Sequence, residues 1–139
     1  MTSGPPSIDV LIVEDDLALL AFLVTRLEYE PDLRVVGYAT DAAEGVRLAT
    51  DLHPDIVLSD FDLPDLDGLT LIGTLRDRLP ESALVLYTAV WSVAFERAAR
   101  LNGADDCLDK TVPPSEVIAA MRDALAARRA EIFQERSAV

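Results

Sequence analysis

At 139 residues the chain has room for one domain, and a hydrophobic half favours a buried core over disorder. Its 25 acidic residues against 12 basic give a net charge of −13, a surface that repels phosphate backbones and anionic lipid, so neither nucleic acid nor membrane is an expected partner. No apolar run approaches the ~20 residues of a spanning helix, the opening MTSGPPS does not read as a secretory signal, and Cys107 stands alone, so a disulfide-free cytoplasmic protein is expected.

Taken in chain order, short apolar runs alternate with amphipathic stretches. Ile8–Val13 (IDVLIV), rich in β-branched residues and followed by three acids, predicts a buried strand. Leu17–Glu28 repeats apolar side chains at Leu20, Leu23, Val24 and Leu27, one face of a helix. Leu33–Ala39 (LRVVGYA) is the second strand. The next helix opens at Asp41, with Glu44 as the partner of a capping box and Val46 and Ala49 on its inner face. His53-Pro54 breaks the chain before a third strand over 55–60 (DIVLSD). The loop FDLPDLDG then leads into a helix marked by Ile72, Leu75 and Leu79 and stopped by Pro80. Ala83–Thr88 (ALVLYT) is the fourth strand, a short helix over 92–101 closes at Asn102-Gly103, and Asp106–Asp109 (DCLD) is the fifth strand. Pro113 and Pro114 open the last helix, where proline is tolerated, and Val117, Ala120, Met121, Ala124 and Leu125 form its buried stripe.

Five βα units predict one α/β domain, a doubly wound parallel five-stranded sheet with helices on both faces. The domain is expected over 8–127, after a flexible N-terminus at 1–7. A polar tail at 128–139 either frays or begins a linker helix.

Placed on this scheme, the polar residues converge. Glu14 and Asp15 follow the first strand, Asp60 ends the third, Thr88 ends the fourth, and Lys110, the only lysine, follows the fifth. All stand at the carboxyl edge of the sheet, where open α/β folds hold ligands in the crevice at which strand order reverses. With the order 2-1-3-4-5, strands one and three are neighbours and Glu14, Asp15 and Asp60 meet. Three carboxylates in one small space stay ionised only around a cation, and hard oxygen donors suit Mg²⁺. A carboxylate beside Mg²⁺, with a lysine and a hydroxyl close by, makes a phosphoryl-transfer site. Asp60 is then the nucleophile, the metal and Lys110 neutralise charge on the phosphoryl oxygens, and the Thr88 hydroxyl bonds one of them.

The stretches VEDD (13–16), PDIVLSDFDLPDLDG (54–68), VLYTA (85–89) and GADDCLDK (103–110) resemble the receiver domains of bacterial two-component response regulators, from about Ile8 to Ala127. The segment K-x-x-P-P-x-E-x-x-x-A beginning at Lys110 is similar, more narrowly, to receivers of the NarL/LuxR-type helix-turn-helix regulators. The resemblance implies a flavodoxin-like (βα)5 fold. It implies Mg²⁺ as cofactor, held by Glu14 (through a water), Asp15, Asp60 and the backbone carbonyl of Asp62. Asp60 becomes the phosphoacceptor of a sensor histidine kinase or phosphotransfer protein, Thr88 the switch hydroxyl and Lys110 the partner of the phosphoryl group. The event reshapes a surface around the fourth helix and fifth strand, with room for a phosphorylation-dependent homodimer. No enzyme activity is implied beyond the domain's own phosphoryl transfer and dephosphorylation.

Three positions depart from that pattern: Cys107 stands where an aromatic is usual, Thr111 where proline follows the lysine, and Asp62 where an apolar residue is common. The first two motivate a rival, a receiver-like interaction module that works without phosphorylation. Asp60-x-Asp62 also resembles the opening of the haloacid-dehalogenase type phosphatases, a rival that lacks that family's usual placement near the N-terminus. Simpler roles are expected elsewhere: Asp16 as a helix cap, Asp65 and Asp67 as turn and cap residues, His53 on the surface, and Cys107 as a small buried hydrophobe. Trp91 is either loop packing or a partner-contact anchor.

Overall fold

The structure, a computed structural model, describes residues 7–138, so the flexible N-terminus expected at 1–7 lies outside it except for Ser7. Strands β1 (Ile8–Val13), β2 (Leu33–Ala39), β3 (Ile56–Asp60), β4 (Ala83–Thr88) and β5 (Asp106–Asp109) alternate with helices α1 (Leu17–Glu28), α2 (Ala42–Leu52), α3 (Gly68–Arg78), α4 (Val93–Leu101) and α5 (Pro114–Ser137). The strands form one parallel sheet in the order β2-β1-β3-β4-β5, as the α/β reading expects.

Strand alternation divides the core in two. Val10, Ile12, Leu58 and Val85 face one side, where Leu20, Leu23 and Leu27 of α1 and Val117, Ile118 and Met121 of α5 cover them. Leu11, Val57, Leu84 and Leu86 face the other, under Ala49 of α2, Leu71, Ile72 and Leu75 of α3 and Ala99 of α4. Both faces are therefore apolar, and polar side chains collect at the strand ends.

Four helices begin on a side-chain cap. Asp16 accepts from the Ala18 and Leu19 amides, Asp41 from Glu44, Asp67 from Thr70 and Ser92 from Phe95. The capping box expected at α2 is only half made, because Glu44 turns its carboxylate to Arg47 at 2.9 Å. Ser92 caps α4 rather than lying within it.

At the C-terminus, where the sequence leaves the tail open to fraying or to helix, 128–137 continues α5 as regular helix. Arginine contacts hold it to the base of the sheet. Arg128 donates to the Pro80 carbonyl at 2.6 and 3.1 Å, Arg129 to Asp55 at 3.2 Å and Arg136 to Glu81 at 3.0 Å. Among the described residues no helix is long and apolar enough to cross a membrane.

Candidate functional site

Pairing between strands decides which side chains meet at the carboxyl edge. The β1–β3 register ends with Val13 opposite Ser59, so Glu14 and Asp60, each one residue on, leave adjacent strands side by side. Asp60 in turn pairs with Tyr87, which brings Thr88 to the same edge. The β4–β5 register ends with Thr88 opposite Asp109, and the Lys110 amide donates to the Thr88 carbonyl at 2.8 Å.

Glu14, Asp15 and Asp60 each offer an oxygen, and the three oxygens lie within 4.8 Å of one another. Glu14 and Asp60 are almost wholly buried, at 1% and 4% exposed, while Asp15 opens to solvent. The Lys110 ammonium reaches across from the turn just after β5 and bridges the two buried carboxylates, 3.0 Å from Glu14 Oε1 and 3.0 Å from Asp60 Oδ1. Glu14 Oε2 accepts the Asp16 amide at 3.0 Å, and Asp60 Oδ1 the Asp62 amide at 3.3 Å. The Asp62 backbone bridges to Asp67, closing the loop beside the site. Thr88, fully buried, accepts the Val90 amide on Oγ1 at 3.1 Å, which leaves its hydroxyl proton free to donate. Glu14, Asp15, Asp60 and Lys110 thus come together, with Thr88 and the Asp62 backbone on the flanking strand end and loop.

Charge is the dominant physics here. Burial, opposed by the hydrogen bond from Lys110 and reinforced by the charge of Glu14, pushes the Asp60 carboxyl up to about 7. Burial works against the Lys110 ammonium, but its bonds to Glu14 and Asp60 hold it above the ordinary lysine value. Three carboxylates against one ammonium leave an excess of negative charge in a space closed to water on one side. All-oxygen donors, two buried and one open to solvent, fit a hard divalent cation that keeps part of its hydration shell.

The loop after Asp60 is packed from two directions. Phe61 meets Phe95 of α4 edge to face, with ring centroids 4.5 Å apart at 87°. On its other side Gly68 lies so close that a Cβ there would come within 2.8 Å of the Phe61 Cα. Trp91 is 40% exposed, and its indole N–H donates to Glu96 at 2.9 Å, tying the ring to the first turn of α4.

The residues expected to be structural fall where anticipated. Asp16 and Asp67 cap α1 and α3, and His53 is an exposed left-handed residue at the end of α2. Cys107 is buried, with its thiol pushed up to about 12 by burial and then by the charges of Glu96 and Asp106. Asp65 differs from a local turn residue: it accepts the Ala42 and Ala43 amides at 2.8 and 3.0 Å, so it tethers the Asp60 loop to the start of α2.

Two residues of consequence have no local signal. Arg76 donates to the carbonyls of Leu79, Ser82 and Gly103 and pairs with Asp105 at 2.7 Å, joining the end of α3 to the approach to β5. Tyr87 donates to the Lys110 carbonyl at 3.3 Å and presents its ring to the ammonium, 5.8 Å from the centroid. The one hint of it in the sequence is a phenol ending an otherwise aliphatic run, next to Thr88.

Comparison with known proteins adds four likenesses. The family model for the response regulator receiver domain matches residues 10–122. A protein-glutamate methylesterase/protein-glutamine glutaminase of Geobacter sulfurreducens is 32% identical over 118 residues, covering 85% of this chain and 32% of that protein. The nitrate/nitrite response regulator protein NarL of Escherichia coli is 28% identical over 117 residues, covering 84% of this chain and 54% of that protein. The chain therefore spans between about a third and about half the length of these relatives. Among solved structures, the signal receiver domain of the NarL response regulator from Mycobacterium tuberculosis superposes with a TM-score of 0.82 at 27% identity, over 88% of this chain and 98% of that one.

Proposed function

The chain belongs to the response regulator receiver domain family, and from that membership we propose that it is the phosphoacceptor of a two-component phosphorelay, modified on Asp60 in a Mg²⁺-dependent step. The observation that carries this is the Lys110 ammonium 3.0 Å from Asp60 beside a cluster of three carboxylates. That arrangement supplies a nucleophile, a fixed positive charge and a set of hard donors in one place.

Glu14, Asp15, Asp60 and the backbone carbonyl of Asp62 would hold the Mg²⁺. When bound, it supplies positive charge against the phosphoryl oxygens and releases Asp60 from the repulsion of its neighbours. An Asp60 carboxylate oxygen attacks the phosphorus of a phosphohistidine on a sensor kinase or phosphotransfer protein. The P–O bond forms, the P–N bond breaks and the imidazole leaves with the electron pair. An ionised carboxylate needs no general base, so the lack of a histidine beside Asp60 is consistent with this step. Lys110 then pairs with a phosphoryl oxygen, and the Thr88 hydroxyl donates to another.

Those new contacts favour one arrangement of the α4–β5 side over another, a shift of population driven by differential binding. The Phe61–Phe95 contact supports this route, because it joins the residue after Asp60 directly to α4. The change of surface, including a phosphorylation-dependent dimer, is the output assigned to this domain. Turnover of substrates and contact with DNA are not.

Acetyl phosphate with Mg²⁺, followed by a phosphate-affinity gel, tests the proposal. A retarded band in the parent that disappears in Asp60→Asn is expected. No retarded band would favour the phosphorylation-independent module, for which Cys107 and Thr111 are the motive. Steady release of phosphate from a simple monoester would favour the haloacid-dehalogenase type phosphatase.

A further inference from the structure

We propose that Tyr87 is the positioning residue for Lys110, gripping it at the backbone and at the ammonium; this rests on the assignment of Asp60 as phosphoacceptor. The last two residues of β4 hold both sides of the Lys110 residue. The Thr88 carbonyl takes the Lys110 amide at 2.8 Å, and the Tyr87 hydroxyl donates to the Lys110 carbonyl at 3.3 Å. The side chain is met again at its far end, where the ammonium lies 5.8 Å from the centroid of the same ring, within the range of a cation–π attraction.

The tyrosine is a rigid support. It is 5% exposed and packs in the core cluster against which Leu108 and Val112, two residues before and two after Lys110, also pack. An aliphatic side chain would fill that volume, so the hydroxyl and the ring face are the features that packing alone does not require. Burial raises the phenol above its ordinary value, which keeps the proton on the oxygen for donation.

The loop beyond needs such a grip. Lys110 is followed by Thr111, whose amide and hydroxyl both bond to Asp109 Oδ1, at 2.8 and 2.9 Å. That turn fixes the exit of the loop and leaves the long lysine side chain to be aimed by other means. With its carbonyl pinned and its ammonium attracted to a fixed ring, Lys110 can exchange Glu14 and Asp60 for a phosphoryl group without losing its pivot.

The test uses Tyr87→Phe, which removes the hydroxyl alone, and Tyr87→Leu, which removes hydroxyl and ring. With acetyl phosphate and saturating Mg²⁺, Tyr87→Phe is expected to slow phosphorylation of Asp60 about three- to fivefold, the worth of one neutral hydrogen bond. Half-saturation by Mg²⁺ should stay within about twofold, since the carboxylates are untouched. In a Lys110→Ala background the same change should have no further effect on the rate, because the carbonyl it grips remains but the side chain it aims is gone. A rate equal to the parent, or an equal loss in both backgrounds, would overturn the proposal.

A second readout needs no phosphorylation. Lys110 is the only lysine, so selective labelling gives one set of side-chain signals. Ring shielding of its ε-methylene protons should persist in Tyr87→Phe and vanish in Tyr87→Leu; unshifted signals in Tyr87→Leu would contradict the ring contact. If the parent takes no phosphoryl group, the assignment of Asp60 fails, while these signals still decide the placement of Lys110.

Discussion

Burial, with the charge of Glu14, outweighs the Lys110 ammonium in opposing the ionisation of Asp60, and the consequence is a sign that can be measured. Its folded value of about 7 lies above the ordinary carboxylate value of 3.8. Between about pH 4 and pH 7 the unfolded chain releases this proton before the folded one does, so on this group's account stability falls as pH rises through that window. Asp60→Asn has no such titration. In metal-free buffer its melting temperature should gain on the parent across the window, by a few degrees at the upper end if the group is worth about 1 kcal/mol. A constant difference between the two would show that Asp60 ionises normally. Cys107 gives a second prediction at this scale. With the thiol pushed to about 12 and buried, alkylation at neutral pH should be far slower in the folded protein than in denaturant; equal rates would contradict its place in the core. Residue roles set by near neighbours were legible in the sequence. Asp16 and Asp67 cap amides two or three residues away, whereas the partners of Asp65 are 22 and 23 residues back along the chain. Tyr87 has no such local signal, since its partner Lys110 stands 23 residues on, just past the end of β5.

Among the elements, the loop between β3 and α3 is the most constrained. Phe61 and Gly68 approach so closely that the space allows no Cβ at 68, and Phe61 cannot give way without moving Asp60. Gly68→Ala should cost about 1–3 kcal/mol, the usual penalty for overpacking, and should slow phosphorylation as well; an unchanged melting temperature would mean the contact is relaxed. Helix α5 shows where hydrophobic periodicity stops being informative. Its apolar stripe ends at Leu125, and beyond that point the helix is held by arginines on carbonyls and carboxylates. Such contacts leave no periodic trace in the sequence, so both a fraying tail and a linker helix fitted what could be read. Arg128→Ala removes two hydrogen bonds to the Pro80 carbonyl. It should cost about 1–2 kcal/mol and speed amide exchange over 129–137. Unaltered exchange there would show that helix propensity alone sustains the segment.

For the molecule as a whole, the fold was legible because strictly alternating strands and helices leave few topologies open. The site followed from it, since a parallel sheet brings the carboxyl ends of all its strands to one edge. What the alternation did not disclose was how tightly the charges meet there. In an acidic protein with a net charge of −13, Glu14, Asp15 and Asp60 repel one another as well as the rest of the surface, and one ammonium offsets only part of that. A divalent ion should therefore bind, and bind more weakly as salt screens the surrounding field. Calorimetric titration of Mg²⁺ into the metal-free protein measures this directly. A single-site isotherm is expected in the parent, weakened about tenfold or more in both Asp15→Asn and Asp60→Asn. Absence of binding at saturating Mg²⁺, or equal affinity in the parent and both variants, would contradict it.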